Sequence, residues 1–146
     1  MEGPFLAALY AGLRRGEIAH VRLEYIDREA GLLEVRPFES WQTKNRKSRS
    51  VPLHPRLVAV LPEGASGWAF PRTTGKPWPV WSLSHQMKAV TGHGLHVLRH
   101  TFVSRLMAAG VGASVVRDLA GHSSISVTDR YAHTNLDELR DGVARL

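Results

Sequence analysis

The sequence predicts an α+β fold, mostly helical with one small antiparallel β-hairpin, and three observations carry that prediction. Apolar residues recur at helical spacing in several segments, two short aliphatic runs between residues 32 and 53 flank a polar loop, and residues 64–79 are rich in Gly and Pro.

Phe5, Leu6, Leu9 and Leu13 lie at helical spacing, and Gly12 and Gly16 interrupt the pattern around Arg14 and Arg15. A helix, a break and a second helix from about Gly16 to Tyr25 are expected, with Ile18, Val21 and the alkyl stem of Arg22 on the packed side. Asp27 and Gly31 mark turns. Leu32 to Arg36 and Ser50 to Leu53 read as two strands paired as a hairpin, because both are short and aliphatic and a polar loop separates them. His54-Pro55 opens a helix over Arg56 to Leu61. A long loop follows, interrupted by a short strand at Trp68-Ala69-Phe70. Val80, Leu83, Met87 and Val90 form the stripe of an amphipathic helix. The next helix begins near Leu95, buries Leu95, Leu98, Phe102 and Leu106, and stops at Gly110, a C′ glycine. Another spans about Ala113 to Ala120 and ends at Gly121, and a short one runs through Ser126 to Tyr131. Asn135, with Glu138 three residues on, caps a last helix carrying Leu136, Leu139, Val143 and Leu146.

The length of 146 residues fits one domain over 1–146, and 43% hydrophobic with 22% charged residues is a globular balance. No apolar run is long enough to span a bilayer. Met1-Glu2-Gly3-Pro4 lacks the basic start of a signal peptide, so Phe5 to Leu9 reads as a buried helix and a soluble, cytoplasmic protein with no membrane partner is expected. The absence of cysteine excludes disulfides, thiolate catalysis and Cys-type zinc sites. Nineteen Lys and Arg against thirteen Asp and Glu give a charge of +6. That excess, with a pI near 10.3, suits a polyanion such as nucleic acid and equally a solvated cationic face.

His96 and Arg99 are three apart on one helix flank, where a forked guanidinium and an imidazole suit a phosphate; surface or capping residues would show the same spacing. His96 and His100 have metal-ligand spacing, but no acid accompanies them before Asp118 and no metal is expected. Thr43 to Arg49 holds four cations in seven residues without an acid, at the tip of the predicted hairpin. His122 follows the Gly121 turn, and Tyr131 comes nine residues later; a lone tyrosine is more often a packing residue than a nucleophile.

Taken together, Gly12-Leu13-Arg14-Arg15-Gly16-Glu17-Ile18, Thr43-Lys44 leading to Ser50-Val51-Pro52-Leu53, His96-Val97-Leu98-Arg99-His100-Thr101-Phe102, Leu119-Ala120-Gly121-His122-Ser123-Ser124-Ile125 and Tyr131-Ala132-His133 resemble the catalytic domain of the tyrosine recombinase (phage integrase) family. The resemblance runs from about Phe5 onward. It implies a DNA strand transferase that cuts and rejoins through a 3′-phosphotyrosyl link. Arg14 and Arg99 would be catalytic arginines, Lys44 the hairpin lysine, His96 and His122 the histidines and Tyr131 the nucleophile, with Glu17 supporting Arg14 or acting as an ordinary N-terminal helix carboxylate. Arg46, Lys47, Arg49 and Arg105 would position phosphates. No cofactor is implied. Double-stranded DNA and further recombinase protomers are the implied partners, with the C-terminal helix packing in cis or docking on a neighbour. Members of the family carry more sequence before the first arginine motif and a separate N-terminal DNA-binding domain. The chain is therefore expected to be N-terminally truncated, either an active recombinase or a relic that binds DNA without recombining it. A relaxing enzyme of the type IB topoisomerase kind would use similar chemistry.

Overall fold

The computed structural model describes residues 1–37, 48–121 and 136–146, with only the backbone of Leu136 and Glu138. Among these residues the chain forms α1 (Glu2–Tyr10), α2 (Arg15–His20), a 3₁₀ turn (Leu23–Tyr25), β1 (Ile26–Asp27), β2 (Leu32–Val35), β3 (Arg49–Pro52), α3 (Pro55–Val58), α4 (Val80–Thr91), α5 (Leu95–Ala108), α6 (Ala113–Ala120) and α7 (Leu136–Ala144). No described helix is long and apolar enough to cross a membrane.

Helix α5 is the centre of the core. Leu95, Leu98, Phe102 and Leu106 repeat every three or four residues and all are buried, as their spacing predicts. Gly110, at φ +77°, releases the chain after it. Helix α1 packs on α5 and buries Pro4, Ala7, Ala8 and Tyr10, whereas Phe5, Leu6 and Leu9 are only partly buried. Gly12 extends that contact: it sits at φ +60°, and a Cβ there would lie 2.5 and 2.6 Å from two carbons of the fully buried Phe102 ring. Gly12→Ala therefore combines a left-handed backbone with overpacking, and a loss of about 2–4 kcal/mol is expected in denaturant unfolding. An unchanged midpoint would contradict this packing.

The expected hairpin is present and extended by one strand. The order is β1-β2-β3, antiparallel throughout, with Ile26 opposite Leu33, Leu33 opposite Val51 and Val35 opposite Arg49. Leu33 and Val35 are buried while Glu34 is exposed, the period-2 alternation of a sheet with one face on the core.

The structure corrects four further sequence expectations. The second helix ends at His20 instead of continuing to Tyr25, because Val21 turns into extended backbone at φ −65°, ψ 130°. Its carbonyl then accepts from Ala69 N–H at 3.0 Å, and Leu23 N–H donates to Gly67 at 2.8 Å. These bonds also reduce the expected strand at Trp68 to a single bridge with Arg22. Helix α3 is likewise shorter than expected, with the His54 ring accepting from Arg56 N–H at its start. On α4, Leu83 and Met87 are buried but Val90, in the last turn, is 68% exposed.

Helix α7 packs in cis on α6 and β3. Val143 is buried, and Gly142 brings the backbone so close that a Cβ would touch Val111, Val115 and Leu119. Arg105, Arg140 and Arg145 add bonds to the carbonyls of Leu146, Ala30 and Ala109 at 3.1, 3.3 and 3.3 Å. The short helix expected through Ser126 to Tyr131, and the Asn135 cap, lie outside the described residues.

Candidate active site

Arg14 precedes the first turn of α2 in extended conformation, and Glu17 reaches back from that turn to accept the Arg14 backbone N–H at 2.8 Å. The Arg14 guanidinium donates to the same carboxylate at 3.0 Å and to the carbonyl of Gly121. Arg99, on α5, donates to the carbonyls of Gly12 and Ala120. The bonds to Gly121 and Ala120 have a common cause. The last carbonyls of α6 have no partner within the helix and carry its partial negative charge, so a guanidinium is a favourable neighbour. Gly121, at φ +62°, ends α6.

Glu17 is the buried charge of this site, with 1% of its side chain exposed. Both of its oxygens also accept from Arg49, at 2.8 Å each. Burial alone would raise its pKa, but the hydrogen bonds and charges of Arg49 and Arg14 outweigh burial and hold it below the ordinary 4.5. Arg99 is lowered to about 10 by burial and then by the nearby Arg14, with Arg49 adding to the effect and Glu17 opposing it. It remains charged at neutral pH. Arg14 and Arg49 thus share one carboxylate, and with Arg99 nearby the cluster keeps an excess of positive charge.

That excess faces a cleft of about 440 Å³ lined by Leu13, Arg14, Arg15, Ser84, Leu95, His96 and Arg99. The exposed His96 ring folds back over the start of α5, where a Cβ on Gly94 would lie 3.0 Å from its Nδ1. An anion entering the cleft would meet Arg14, Arg99 and His96 together. Arg15 and Ser84 also line it, although the sequence did not single them out as site residues; Arg15 adjoins Arg14, but Ser84 carries no signal beyond its helix position. His100, at metal-ligand spacing from His96, instead pairs with Ser104 at 3.2 Å.

Of the residues expected at the site, Arg14, Glu17, His96 and Arg99 come together. Arg49, expected among the phosphate-positioning cations, is turned inward onto Glu17, with 13% of its side chain exposed. Arg105 lies about 9 Å farther along α5 than Arg99, given the helix rise. There its guanidinium sits 6.0 Å from the Tyr10 ring centroid and bonds to Leu146. Lys44, Arg46, Lys47, His122 and Tyr131 lie outside the described residues.

The family model described as the phage integrase family matches residues 4–138. The chain belongs to the phage integrase family. It is 30% identical over 152 residues to tyrosine recombinase XerC of Pelobacter propionicus, covering 93% of the chain and 48% of that relative. The integrase from mycobacterium phage Brujita superposes with a TM-score of 0.79 at 28% identity, over 99% of this integrase-family chain and 50% of that one. The Tn1549 transposon integrase in complex with transposon right end DNA shares the fold, with a TM-score of 0.70 at 20% identity over 98% and 57% of the two chains. The chain spans about half the length of these relatives.

Glu17 offers a direct test of the cluster. Glu17→Ala would leave two guanidiniums facing each other without their carboxylate, and a loss of about 3 kcal/mol in denaturant unfolding is expected. The pH dependence has a fixed sign. Because the folded pKa is lowered, the stabilisation is present above pH 4.5 and is lost as pH falls through the folded value. Glu17→Gln should remove that acid-side dependence, and a Gln variant with the parent's acid profile would exclude Glu17 as its source.

Proposed function

We propose that the chain is the strand-transfer domain of a site-specific DNA recombinase, acting through a 3′-phosphotyrosyl intermediate at Tyr131. The observation that carries this reading is the meeting of two guanidiniums, Arg14 and Arg99, at one cleft with His96. A phosphodiester resists attack because it is anionic, and charge builds on its non-bridging oxygens in the transition state. Two fixed guanidiniums neutralise that charge without reorganising during the reaction. His96 accepts or orients the phenolic proton as Tyr131 attacks, Lys44 protonates the departing 5′ oxygen, and His122 bonds a non-bridging oxygen. The phosphotyrosyl link conserves the energy of the broken bond, so a 5′ hydroxyl from another strand reverses the step and neither ATP nor metal enters.

Double-stranded DNA in the cytoplasm is the proposed partner, with Arg46, Lys47 and Arg105 as backbone contacts. The resemblance further suggests assembly with other protomers, exchanging α7 between neighbours in place of its cis packing.

The test is incubation with randomised duplexes carrying a nick, which lets the 5′ fragment diffuse away and traps the intermediate. Protein-linked DNA on a denaturing gel, with attachment mapped by proteolysis to the peptide containing Tyr131, is the expected result. A folded chain that shifts DNA in a native gel but forms no adduct would replace this reading with that of a DNA-binding relic.

A further inference from the structure

Arg49 opens β3, yet its guanidinium reaches two other parts of the fold. Nη1 and Nη2 donate to the two Glu17 oxygens at 2.8 Å each, and Nε donates to the carbonyl of Leu119 at 3.1 Å. Each of its nitrogens thus has a bond inside the protein. The planar fork makes this possible, because an ammonium cannot span both carboxylate oxygens in fixed geometry. A Cβ on Gly121 would lie 2.7 Å from Nη1, so the guanidinium also runs against the turn whose carbonyl Arg14 holds.

The consequence for Arg14 is electrostatic as well as geometric. Glu17 pairs with Arg14 at 3.0 Å and on its own would cancel that charge. Arg49 brings a second positive charge to the same two oxygens, so the three groups together keep a net positive charge beside the cleft, and Arg14 is held there by a carboxylate that is already shared. We propose that Arg49 is a positioning residue for strand cleavage, holding Arg14 at the phosphate through Glu17 rather than binding a DNA phosphate itself. This rests on the reading of Arg14 as a group that neutralises the scissile phosphate.

The experiment compares the full chain with Arg49→Gln and Arg49→Lys variants in two measurements. The first is the adduct-forming rate at saturating DNA, on the duplex recovered from the trapped adduct and on the same duplex with a neutral methylphosphonate at the scissile position. A misplaced catalytic group costs up to about 100-fold, so a 10- to 100-fold loss is expected for Gln on the phosphodiester and a smaller one for Lys. On the methylphosphonate, which has no charge for Arg14 to neutralise, the loss should shrink to a few-fold. The second measurement is the salt dependence of binding to a mixed-sequence duplex. A lost phosphate contact lowers its slope by about one, whereas the positioning role leaves the slope unchanged.

A lowered slope with an unchanged rate would overturn the proposal, and so would equal losses on both linkages, which a general structural defect gives. If Gln fails to fold, Lys carries the same comparisons. Absence of any adduct from the unsubstituted chain would sink the recombinase reading instead. The binding measurement needs no cleavage and would still decide whether Arg49 binds a DNA phosphate, a lowered slope overturning the proposal on its own.

Discussion

Tyr131→Phe is expected to abolish the DNA adduct, a loss on the order of 10⁴-fold or more, while leaving duplex affinity within about twofold. The substitution removes one oxygen, the atom proposed to form the new bond to phosphorus, and keeps the ring. Water offers no substitute in this assay, because its attack yields free DNA ends rather than a protein-linked strand. The chain also has no cysteine to act as an alternative thiolate. The measurement pairs a denaturing gel for the adduct with a native gel for binding. An adduct persisting in the Phe variant would move the nucleophile elsewhere and remove the reason for reading Tyr131 as catalytic.

Arg99→Ala is expected to slow adduct formation by about 10²–10³-fold, the range for removing one preorganised donor to a developing oxyanion. This variant also loses stability, because Arg99 donates to the carbonyls of Gly12 and Ala120 and its removal leaves both without that donor. The two effects separate in practice: single-turnover rates are taken below the temperature at which unfolding begins, and Arg99→Lys provides the comparison. Lysine restores charge but cannot hold two carbonyls and face a phosphate with one planar group. A rate for Lys close to the parent would mean that charge alone is needed. The expected result is a substantial deficit in Lys as well, with duplex affinity largely retained in both variants. If affinity falls as far as rate, Arg99 binds the ground state and transition state equally and the catalytic assignment fails.

The helical core was legible in the sequence because its signal is local and repetitive. Leu95, Leu98, Phe102 and Leu106 declare one face of α5, and Gly110 and Gly121 declare the ends of α5 and α6. The elements that were misread depend on partners distant in sequence. Val21 looks helical until residues 67–69 offer it a bridge, and the two-residue β1 exists only because β2 lies beside it. Helix α1 hid its buried face because alanines carry a weak apolar signal.

The site divides along the same line. Arg14, His96 and Arg99 were named from motif order, and the fold brings them to one cleft. The inward turn of Arg49 was not visible, since four cations in a short polar run look alike until one of them meets a buried acid. Glu17 carried a partial hint: an acid three residues after Arg14 is placed to reach back to the helix start, and there it is also within reach of a cation.

Arg14 and Arg99 take three of their bonds from main-chain carbonyls, those of Gly12, Ala120 and Gly121. Such an acceptor is present whatever side chain its residue carries, so replacing Ala120 changes the packing there without deleting the atom that Arg99 holds. A shift in the path of the chain at the end of α6 has the opposite effect and displaces acceptors from both arginines at once. The pair is therefore insulated from gradual side-chain turnover and vulnerable to a single change of backbone route. In a collection of diverging variants, the two arginines should keep or lose their poise together, as one inherited trait.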